Sequence, residues 1–530
     1  MSEQYTLEQV AEHNTPESLW IIIDGNVFDL TEFQKEHPGG KKILKRVAGK
    51  DASKFFHKYH DAPKIMRRVG HKFKIGTLKD AEANPTRAMI APNKTTALEP
   101  YGDLVPYADP NWYHGYHNPY YKESHAKLRD EVRQWVEEKI EPFVEEWDEE
   151  KEVPKEIFQE MGKRGYLAGS LGTPYKELAK YTNVKPASVP VEEYDMFHEL
   201  IITDEIMRAG SGGLTWNLLG GYCIGLPPVI KFAKEPLKER ILPGLLDGSK
   251  RICLCITEPD AGSDVANITT TAEKTPDGKF FIVNGIKKWI TNGIWADYFT
   301  VAVRTGGPGS GMNGISVLLL ERGMEGLETR RMNTQGMLSS GSTWVTMEDV
   351  KVPVENLLGQ ENKGFKVIMT NFNHERVGII IQANRASRVC YEEACKYAHK
   401  RKTFGKPLIE HPVIRAKLAN MAIRIESTHA WLENLVFQCQ MFPEEEAMLR
   451  LGGAIAGCKA QATQTLELCA REASQIFGGL AYTRGGLGGK VERLYREVRA
   501  YAIPGGSEEI MLDLAMRQAL KVHKAVGAKL

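Results

Sequence analysis

The sequence predicts a multidomain protein in which a small α+β domain precedes a larger unit made of helical, β and again helical parts. Residues 1 to about 80 combine a strong hairpin signal with short helical stretches, and the next segment is rich in Pro, Asn and Thr. The rest of the chain changes from a helical period to strand-like runs and back. We therefore predict five parts: a domain at 1–80, a linker at 81–118, a helical domain at 119–250, a β domain at 251–360 and a helical domain at 361–530.

Each element of the first domain has a local signal. The segment TLEQVAEHN reads as a short capped helix, and LWIIIDGNVFDLTEF reads as two strands joined at Asp24-Gly25-Asn26. Two short amphipathic stretches follow, KKILKRVAG and DASKFFHKYH. The linker has no sustained period, which is typical of a connecting segment.

The larger unit shows its three parts in order. Apolar residues recur at three- and four-residue steps in KLRDEVRQWVEEKIEPFVEEW and EIFQEMGKRGYLAG, which predicts helices. Strand-like runs follow in RICLCITEP, KFFIVNGIKKWITN, YFTVAVRT, GISVLLLER and STWVTMEDVKVP. Long helical patterns return after Gly364.

The composition restricts the function classes. With 69 basic and 68 acidic residues the formal charge is +1, so no net charge attracts nucleic acid or an anionic membrane. We expect no nucleic-acid partner, and we expect no membrane span because no apolar run approaches about 20 residues. The eight cysteines include Cys253 and Cys255 in an alternating run rather than a metal-binding CxxC, which favours reduced thiols. We therefore expect chemistry on small molecules.

The chain closes with Ala528-Lys529-Leu530, which is similar to the SKL-type peroxisomal address. This similarity predicts a peroxisomal location and an import receptor as a partner. A basic helix end would give the same tripeptide, and the protein would then be cytoplasmic.

Two histidines of the first domain form a candidate metal site. His37 opens the sequence HPGG, and His60 lies 23 residues later at the end of the second short helix. Glycines that let the backbone approach a flat ligand, with one imidazole on each side, suit axial ligation of haem iron. Together with AGKDAS and the closing FKIGTL, the segment resembles cytochrome b5. The resemblance implies haem b held by His37 and His60. His57 lies one helical turn before His60 and could face the same way, which makes it an alternative ligand.

The larger unit carries motifs that resemble those of the acyl-CoA dehydrogenase family, from about Tyr120 to Ala525. They are TEPDAGSD at 257–264, WITNG at 289–293, RKTFGK at 401–406, QIFGG at 475–479 and the segment from Tyr495 to Ser507. The resemblance implies an α-helical domain, a middle β-barrel or sandwich domain and a C-terminal four-helix bundle. It also implies FAD bound between the β domain and the C-terminal helices.

The resemblance also assigns cofactor contacts. Thr257 is expected at the polar edge of the isoalloxazine, Trp289 against the ring and Thr291 near N5, while Ser263 is expected beside a phosphate or the substrate. The FAD pyrophosphate and adenine of a neighbouring subunit would be held by Arg401, Thr403, Phe404, Gln475 and Gly479, and further flavin contacts by Ser507 and Glu509. Contacts across a subunit boundary imply a homodimer or a homotetramer.

The catalytic base of such an enzyme is a carboxylate that removes a proton from the substrate. Removal of the α-proton of an acyl thioester needs a carboxylate dry enough to be basic. The usual family position for this glutamate is Gly505 here, whereas Glu375, just before Arg376, lies at the position used by branched-chain and long-chain members. We therefore predict Glu375 as the base and Arg376 as a substrate contact, and the resemblance implies that the Gly505 backbone N–H donates to the thioester oxygen. Glu508 and Glu509 are the fallback bases.

The predicted function is FAD-dependent α,β-dehydrogenation of an acyl-CoA to the trans-2-enoyl-CoA, with electrons passed to the attached haem and then to a further acceptor of unknown identity. Two alternatives stay open: an acyl-CoA oxidase-like enzyme that uses oxygen, and an inactive flavin or haem electron carrier.

Overall fold

The computed structural model describes residues 3–37, 40–60, 65, 71–79, 100–172, 174–307, 309–525 and 527. The terminal Ala528-Lys529-Leu530 and the larger part of the predicted linker lie outside the described residues. Among the described residues, no helix combines the length and the apolar character needed to cross a bilayer.

The first domain is an α+β unit built on a six-stranded sheet. Its strand order is β1-β6-β4-β3-β2, with β5 paired to β3. Asp24 and Gly25 form the two-residue turn between β3 and β4, with φ of 49° and 74°, which confirms the predicted hairpin. The elements are β1 (Glu3–Tyr5), α1 (Leu7–Glu12), β2 (Asn14–Thr15), β3 (Ser18–Ile23), β4 (Asn26–Asp29), α2 (Lys41–Val47), β5 (Lys50–Asp51), α3 (Ser53–Tyr59), α4 (His71–Phe73) and β6 (Lys74–Leu78).

Residues 100–118, which the sequence patterns place in the linker, are packed against both helical domains instead. Trp112 and Tyr113 are buried. The carboxylate of Asp109 is also buried and accepts from Arg133 at 2.9 Å and from Arg385 at 2.8 Å. The segment has no period because tertiary contacts, rather than a repeating apolar face, fix its position.

The first helical domain contains nine helices among the described residues. They are α5 (Glu123–Lys139), α6 (Val144–Glu150), α7 (Lys155–Lys163), α8 (Tyr175–Leu178), α9 (Met196–Met207), α10 (Gly212–Thr215), α11 (Gly221–Gly225), α12 (Pro227–Phe232) and α13 (Glu235–Leu246). A π-helical turn, Trp216–Gly220, joins α10 to α11. Such turns occur frequently at functional sites, and this one borders the pocket described below.

The β domain is a seven-stranded sheet of order β11-β10-β8-β9-β13-β12, with β7 paired to β10. Its core contains the alternating side chains of β9 and β10, among them Phe281, Val283 and Phe299. Cys253 and Cys255 lie buried on β7 as free thiols, as predicted. The strands are β7 (Ile252–Cys255), β8 (Thr271–Lys274), β9 (Phe280–Ile290), β10 (Tyr298–Arg304), β11 (Ile315–Glu321), β12 (Leu327–Arg331) and β13 (Thr343–Pro353).

The C-terminal domain consists of long helices that pack on one another. A short hairpin, β14 (Lys402–Thr403) with β15 (Lys406–Pro407), lies between the first two helices. The helices are α14 (Gly364–Lys400), α15 (Pro412–Met441), α16 (Glu444–Phe477), α17 (Gly489–Ala502) and α18 (Glu508–Ala525). The helical, β and helical order predicted from the sequence is confirmed.

Candidate functional site

A pocket of about 90 Å³ lies where the three parts of the larger unit meet. Its wall includes Glu199 on α9, the π turn that begins at Trp216, Thr291 after β9 and Glu375 on α14, with Pro504 after α17. The structure therefore brings together Glu375 and Thr291, two residues that the sequence places 84 positions apart.

Glu375 and Gly505 are neighbours in space. A Cβ atom added to Gly505 would lie 2.8 Å from Ile379 Cδ1 and 4.0 Å from Glu375 Oε1. Gly505 also has a φ of 67°, a conformation that disfavours other residues. A side chain at the usual family position of the base would thus be strained by the backbone and would press on the end of Ile379, and the carboxylate of Glu375 comes close to that place.

The surroundings of Glu375 favour a basic carboxylate. Burial raises the pKa of Glu375 above its ordinary value, and this effect outweighs the opposing charges of Arg376, Lys459 and His374. A carboxyl group with a raised pKa is a better proton acceptor once it is ionised.

Two cations hold the turn that contains Gly505. Arg376 Nε donates to the Gly505 carbonyl at 2.9 Å, and Lys459 Nζ donates to the carbonyls of Ala502 at 2.9 Å and Gly506 at 2.8 Å. Arg376 therefore contacts the turn, and it is absent from the pocket wall, where the sequence expectation of a substrate contact would place it. No acceptor in the described part of the chain meets the Gly505 N–H, so this donor is available.

The fallback bases lie in different surroundings. Glu508 accepts a hydrogen bond from Thr463 Oγ1 at 2.6 Å. Glu509 is exposed, and hydrogen bonds from its own backbone N–H and from Ser507 lower its pKa. Neither carboxylate lines the pocket. Ser507 precedes α18, and its carbonyl accepts from Met511 N.

The flavin-binding residues expected from the sequence lie at the ends of β7 and β9. The Thr257 carbonyl accepts from Lys288 N at 2.9 Å, which places Thr257 beside the strand that leads to Trp289 and Thr291. Trp289 is 49% exposed and has a φ of 59°. A large aromatic side chain in this strained conformation indicates a functional position, and an exposed indole two residues before Thr291, which lines the pocket, suits contact with a planar ring. The structure does not bring Ser263 to the pocket, since it is exposed on a loop.

A buried ion pair fixes this part of the β domain. Lys287 Nζ donates to Glu258 Oε1 at 2.8 Å, and both side chains are almost fully buried. No motif in the sequence marks this pair, but one signal does: Lys287 continues the core-facing alternation of Phe281 and Val283 along β9. A lysine on a core face indicates a buried partner.

The expected second-subunit contacts lie on the surface. Phe404 is 96% exposed, with a φ of 49°, at the tip of the β14–β15 hairpin. Arg401, Gln475 and Gly479 are exposed, and Thr403 Oγ1 lies 3.3 Å from His411 Nε2. The expected contacts with another subunit are thus accessible from outside the chain, and their role stays a prediction.

In the first domain, His37 and His60 face each other. Their ring centroids are 5.9 Å apart, and His37 Nδ1 is buried with no hydrogen-bond partner in the described part of the chain. His60 Nδ1 lies 3.2 Å from the Phe56 carbonyl, which leaves Nε2 for a ligand. Burial, followed by the charge of His60, lowers the pKa of His37, which favours the neutral ring that ligates metals. These residues fit a metal ion between the two imidazoles.

His57 has a different partner. Its Nε2 lies 2.7 Å from Asp24 Oδ1, in the hairpin turn. Because His57 already pairs with Asp24, it is less suited than His60 to be the second ligand.

Family models match nearly the whole chain. Residues 122–249, 253–350 and 362–520 match the N-terminal, middle and C-terminal domains of acyl-CoA dehydrogenase. Residues 6–79 match the cytochrome b5-like heme/steroid binding domain.

Curated relatives and solved structures agree with these matches. The acyl-CoA dehydrogenase apdG of Emericella nidulans is 43% identical over 432 residues, which cover 80% of this chain and 98% of that protein. The acyl-CoA dehydrogenase AFT10-1 of Alternaria alternata is 43% identical over 79% of this chain and 97% of that protein. The crystal structure of butyryl-CoA dehydrogenase from Megasphaera elsdenii has a TM-score of 0.67 at 27% identity and covers 76% of this chain and 100% of that one. The chain therefore belongs to the acyl-CoA dehydrogenase family, is an oxidoreductase and carries a cytochrome b5-like domain at residues 6–79.

Proposed function

We propose that the protein oxidises an acyl-CoA to the trans-2-enoyl-CoA with Glu375 as the catalytic base. The observation that carries this proposal is the position of Glu375, which lines the pocket with Thr291 and approaches the space beside Gly505. Its carboxylate would take the α-proton while the β-hydrogen leaves as hydride. FAD supplies the hydride acceptor when bound, with Thr257, Trp289 and Thr291 as its contacts on this side.

The remaining groups of the site orient the thioester. The free N–H of Gly505 would donate to the thioester oxygen and stabilise the negative charge that develops there. Arg376 and Lys459 are positioning residues, because they hold the carbonyls of the turn that presents this N–H.

The role of Glu375 is tested with Glu375→Gln, which keeps the shape of the side chain but removes its basicity. We expect this variant to retain FAD and to be reduced by acyl-CoA thioesters roughly 100-fold or more slowly under anaerobic conditions. Glu508→Gln is the matched control, and it should be reduced at close to the wild-type rate. Normal reduction of Glu375→Gln together with slow reduction of Glu508→Gln would move the base to Glu508.

We also propose that the b5-like domain receives the electrons, with haem b held by His37 and His60. The support is the geometry of the two imidazoles and the presence of both domains in one chain. A haem iron with both axial positions filled has no open site for oxygen and carries one electron at a time.

Anaerobic mixing of the full-length protein with acyl-CoA tests this transfer. Flavin bleaching should be followed by the bands of reduced haem, at a rate independent of protein concentration because the acceptor is tethered. His37→Ala, which removes one ligand, should keep the first phase and lose the second. Haem that stays ferric while flavin is fully reduced would favour oxygen as the acceptor.

The surface around Phe404, Gln475 and Gly479 supports assembly into a homodimer or homotetramer in which one subunit contacts the FAD of another. Phe404→Ser should weaken FAD binding and subunit association together, measured by flavin content and sedimentation. Loss of neither property would place the FAD contacts within one subunit.

A further inference from the structure

The acyl pocket contains polar side chains that the proposed dehydrogenation does not use. They are Glu199 and Thr203 on α9, and His374 and Gln382 on α14. The rest of the wall is mostly apolar, with Leu219, Ile224, Ile379 and Pro504. In binding sites, a few fixed polar groups in an apolar wall usually set the orientation and identity of the ligand.

Glu199 and His374 form an ion pair in this wall. His374 Nε2 lies 2.5 Å from Glu199 Oε1, and the side chains are only 17% and 12% exposed. Burial alone would lower the pKa of His374, but the neighbouring Glu199 and Glu375 carboxylates raise it above its ordinary value. Removing two charges from water is costly. A purely hydrocarbon acyl chain would form no hydrogen bond with either group and so would not offset this cost. The second oxygen, Glu199 Oε2, has no donor in the described part of the chain.

Gln382 and Thr203 extend this polar surface. Trp216 Nε1 and the Tyr501 hydroxyl donate to Gln382 Oε1 at 3.0 and 3.2 Å. Since an indole N–H is a donor only, the amide orientation is fixed, and the two Nε2 hydrogens meet no acceptor among the described residues. The Thr203 hydroxyl, one turn after Glu199, likewise has no partner there. The wall thus offers an acceptor at Glu199, a donor at Gln382 and a hydroxyl that can do both.

These hydrogen-bonding groups of the wall favour some polar substituents of the acyl chain over others. A carboxylate on the acyl chain would face the negative charges of Glu199 and Glu375. An ammonium, which only donates, would leave the two Gln382 amide hydrogens without an acceptor. A hydroxyl donates one hydrogen bond and accepts others, as this wall requires. Gly378 adds room for a substituent, because a Cβ there would meet nothing within 4 Å although it lines the pocket one turn after Glu375.

We propose that the preferred substrates are hydroxyacyl-CoA thioesters whose hydroxyl lies beyond the β-carbon and contacts Glu199, Thr203 or Gln382. The inference rests on the proposed function, since it identifies this pocket as the acyl site. Glu199, Thr203 and Gln382 would be specificity-determining residues, and the hydroxyl takes no part in the oxidation.

The test compares hexanoyl-CoA with 4-, 5- and 6-hydroxyhexanoyl-CoA, using kcat/KM with a dye acceptor and the rate of anaerobic flavin reduction. The best hydroxylated substrate should exceed hexanoyl-CoA at least about 10-fold, the effect of one hydrogen bond to a charged group. Thr203→Val and Gln382→Leu should bring this ratio towards one. Thr370→Val is the matched control on α14, since its hydroxyl bonds to the Lys366 carbonyl outside the pocket, and it should keep the ratio.

Two results would overturn the inference alone: flavin reduction by hexanoyl-CoA as fast as by every hydroxylated substrate, or a preference unchanged in both pocket variants. If no thioester reduces the flavin at all, the proposed function fails and the inference fails with it.

Discussion

The buried pair of Glu258 and Lys287 should be the most sensitive point of the β domain. The carboxylate accepts from Lys287 Nζ, from the backbone N–H and hydroxyl of Thr269 and from the backbone N–H of Thr270, at 2.6 to 2.9 Å. The ammonium has a further acceptor at the Ile256 carbonyl. Each carboxylate oxygen of Glu258 accepts two of these hydrogen bonds. In Glu258→Gln, either orientation of the amide replaces one of the two oxygens with an NH2 group, so two donors lose their acceptor. Breaking a buried pair in this way costs about 3–5 kcal/mol, a large part of a typical folding free energy of roughly 5–15 kcal/mol.

The measurement is chemical denaturation of the full-length protein, followed by tryptophan fluorescence and by flavin release. Lys287→Met should cost less than Glu258→Gln, because the carboxylate keeps three donors. The double variant should lose less than the sum of the two single losses. Lys274→Met is the control: its partner Glu361 is at 2.6 Å but both side chains are more than a third exposed, so the loss should be below about 1 kcal/mol. The reasoning is refuted if Glu258→Gln is no less stable than Lys274→Met, or if the two single losses are additive.

Three further predictions follow from single residues. Burial, together with the charge of Asp148, raises the pKa of Glu497 to about 7. The folded protein therefore binds one more proton than the unfolded chain between pH 4.5 and about 7, and its stability falls as the pH rises through that range. Relative to Glu497→Gln, the wild type should therefore lose up to about 3 kcal/mol between pH 5 and pH 8; parallel melting profiles of the two proteins would contradict this. Gly378→Ala should raise the melting temperature, since glycine within a helix costs about 1 kcal/mol, whereas Gly378→Leu should fill the pocket and lower kcat/KM; an unchanged kcat/KM in the leucine variant would show that this space is not used by substrate. His60→Ala should abolish the haem spectrum and His57→Ala should retain it, and the opposite pattern in absorbance spectra would exchange the two assignments.

Local signals in the sequence predict the elements well. The Asp24-Gly25 turn needs positive φ at both positions, and its flanking strands follow directly. The spacing of apolar residues in the larger unit also predicts its helical, β and helical parts, because helices and strands each bury one face at a characteristic spacing. Gly505 at the usual position of the base predicts a base elsewhere in the chain, and the structure places Glu375, the residue predicted for that role, close to Gly505.

Contacts between distant elements could not be predicted in this way. Glu199 and His374 are 175 positions apart, and their pairing depends on how α9 packs against α14. Glu199 has no distinctive sequence neighbourhood, and His374, although it precedes Glu375, carries no signal of a partner of its own, since a glutamate or a histidine in a helix is usually solvated. The packed segment at 100–118 escaped prediction for the same reason, because its signals are single aromatic and acidic residues rather than a pattern.

That packed segment shortens the connection between the two domains. Because Asp109 and Trp112 are already held by the helical domains, the sequence between the b5-like domain and the packed segment is 80–99 rather than 81–118. At 3.3–3.6 Å per residue, twenty residues reach at most about 70 Å, whereas 38 residues would reach roughly 130 Å. For a flexible connection, local concentration falls roughly as the −3/2 power of its length, so twenty residues in place of 38 would raise that of the b5-like domain at the dehydrogenase surface about 2.5-fold.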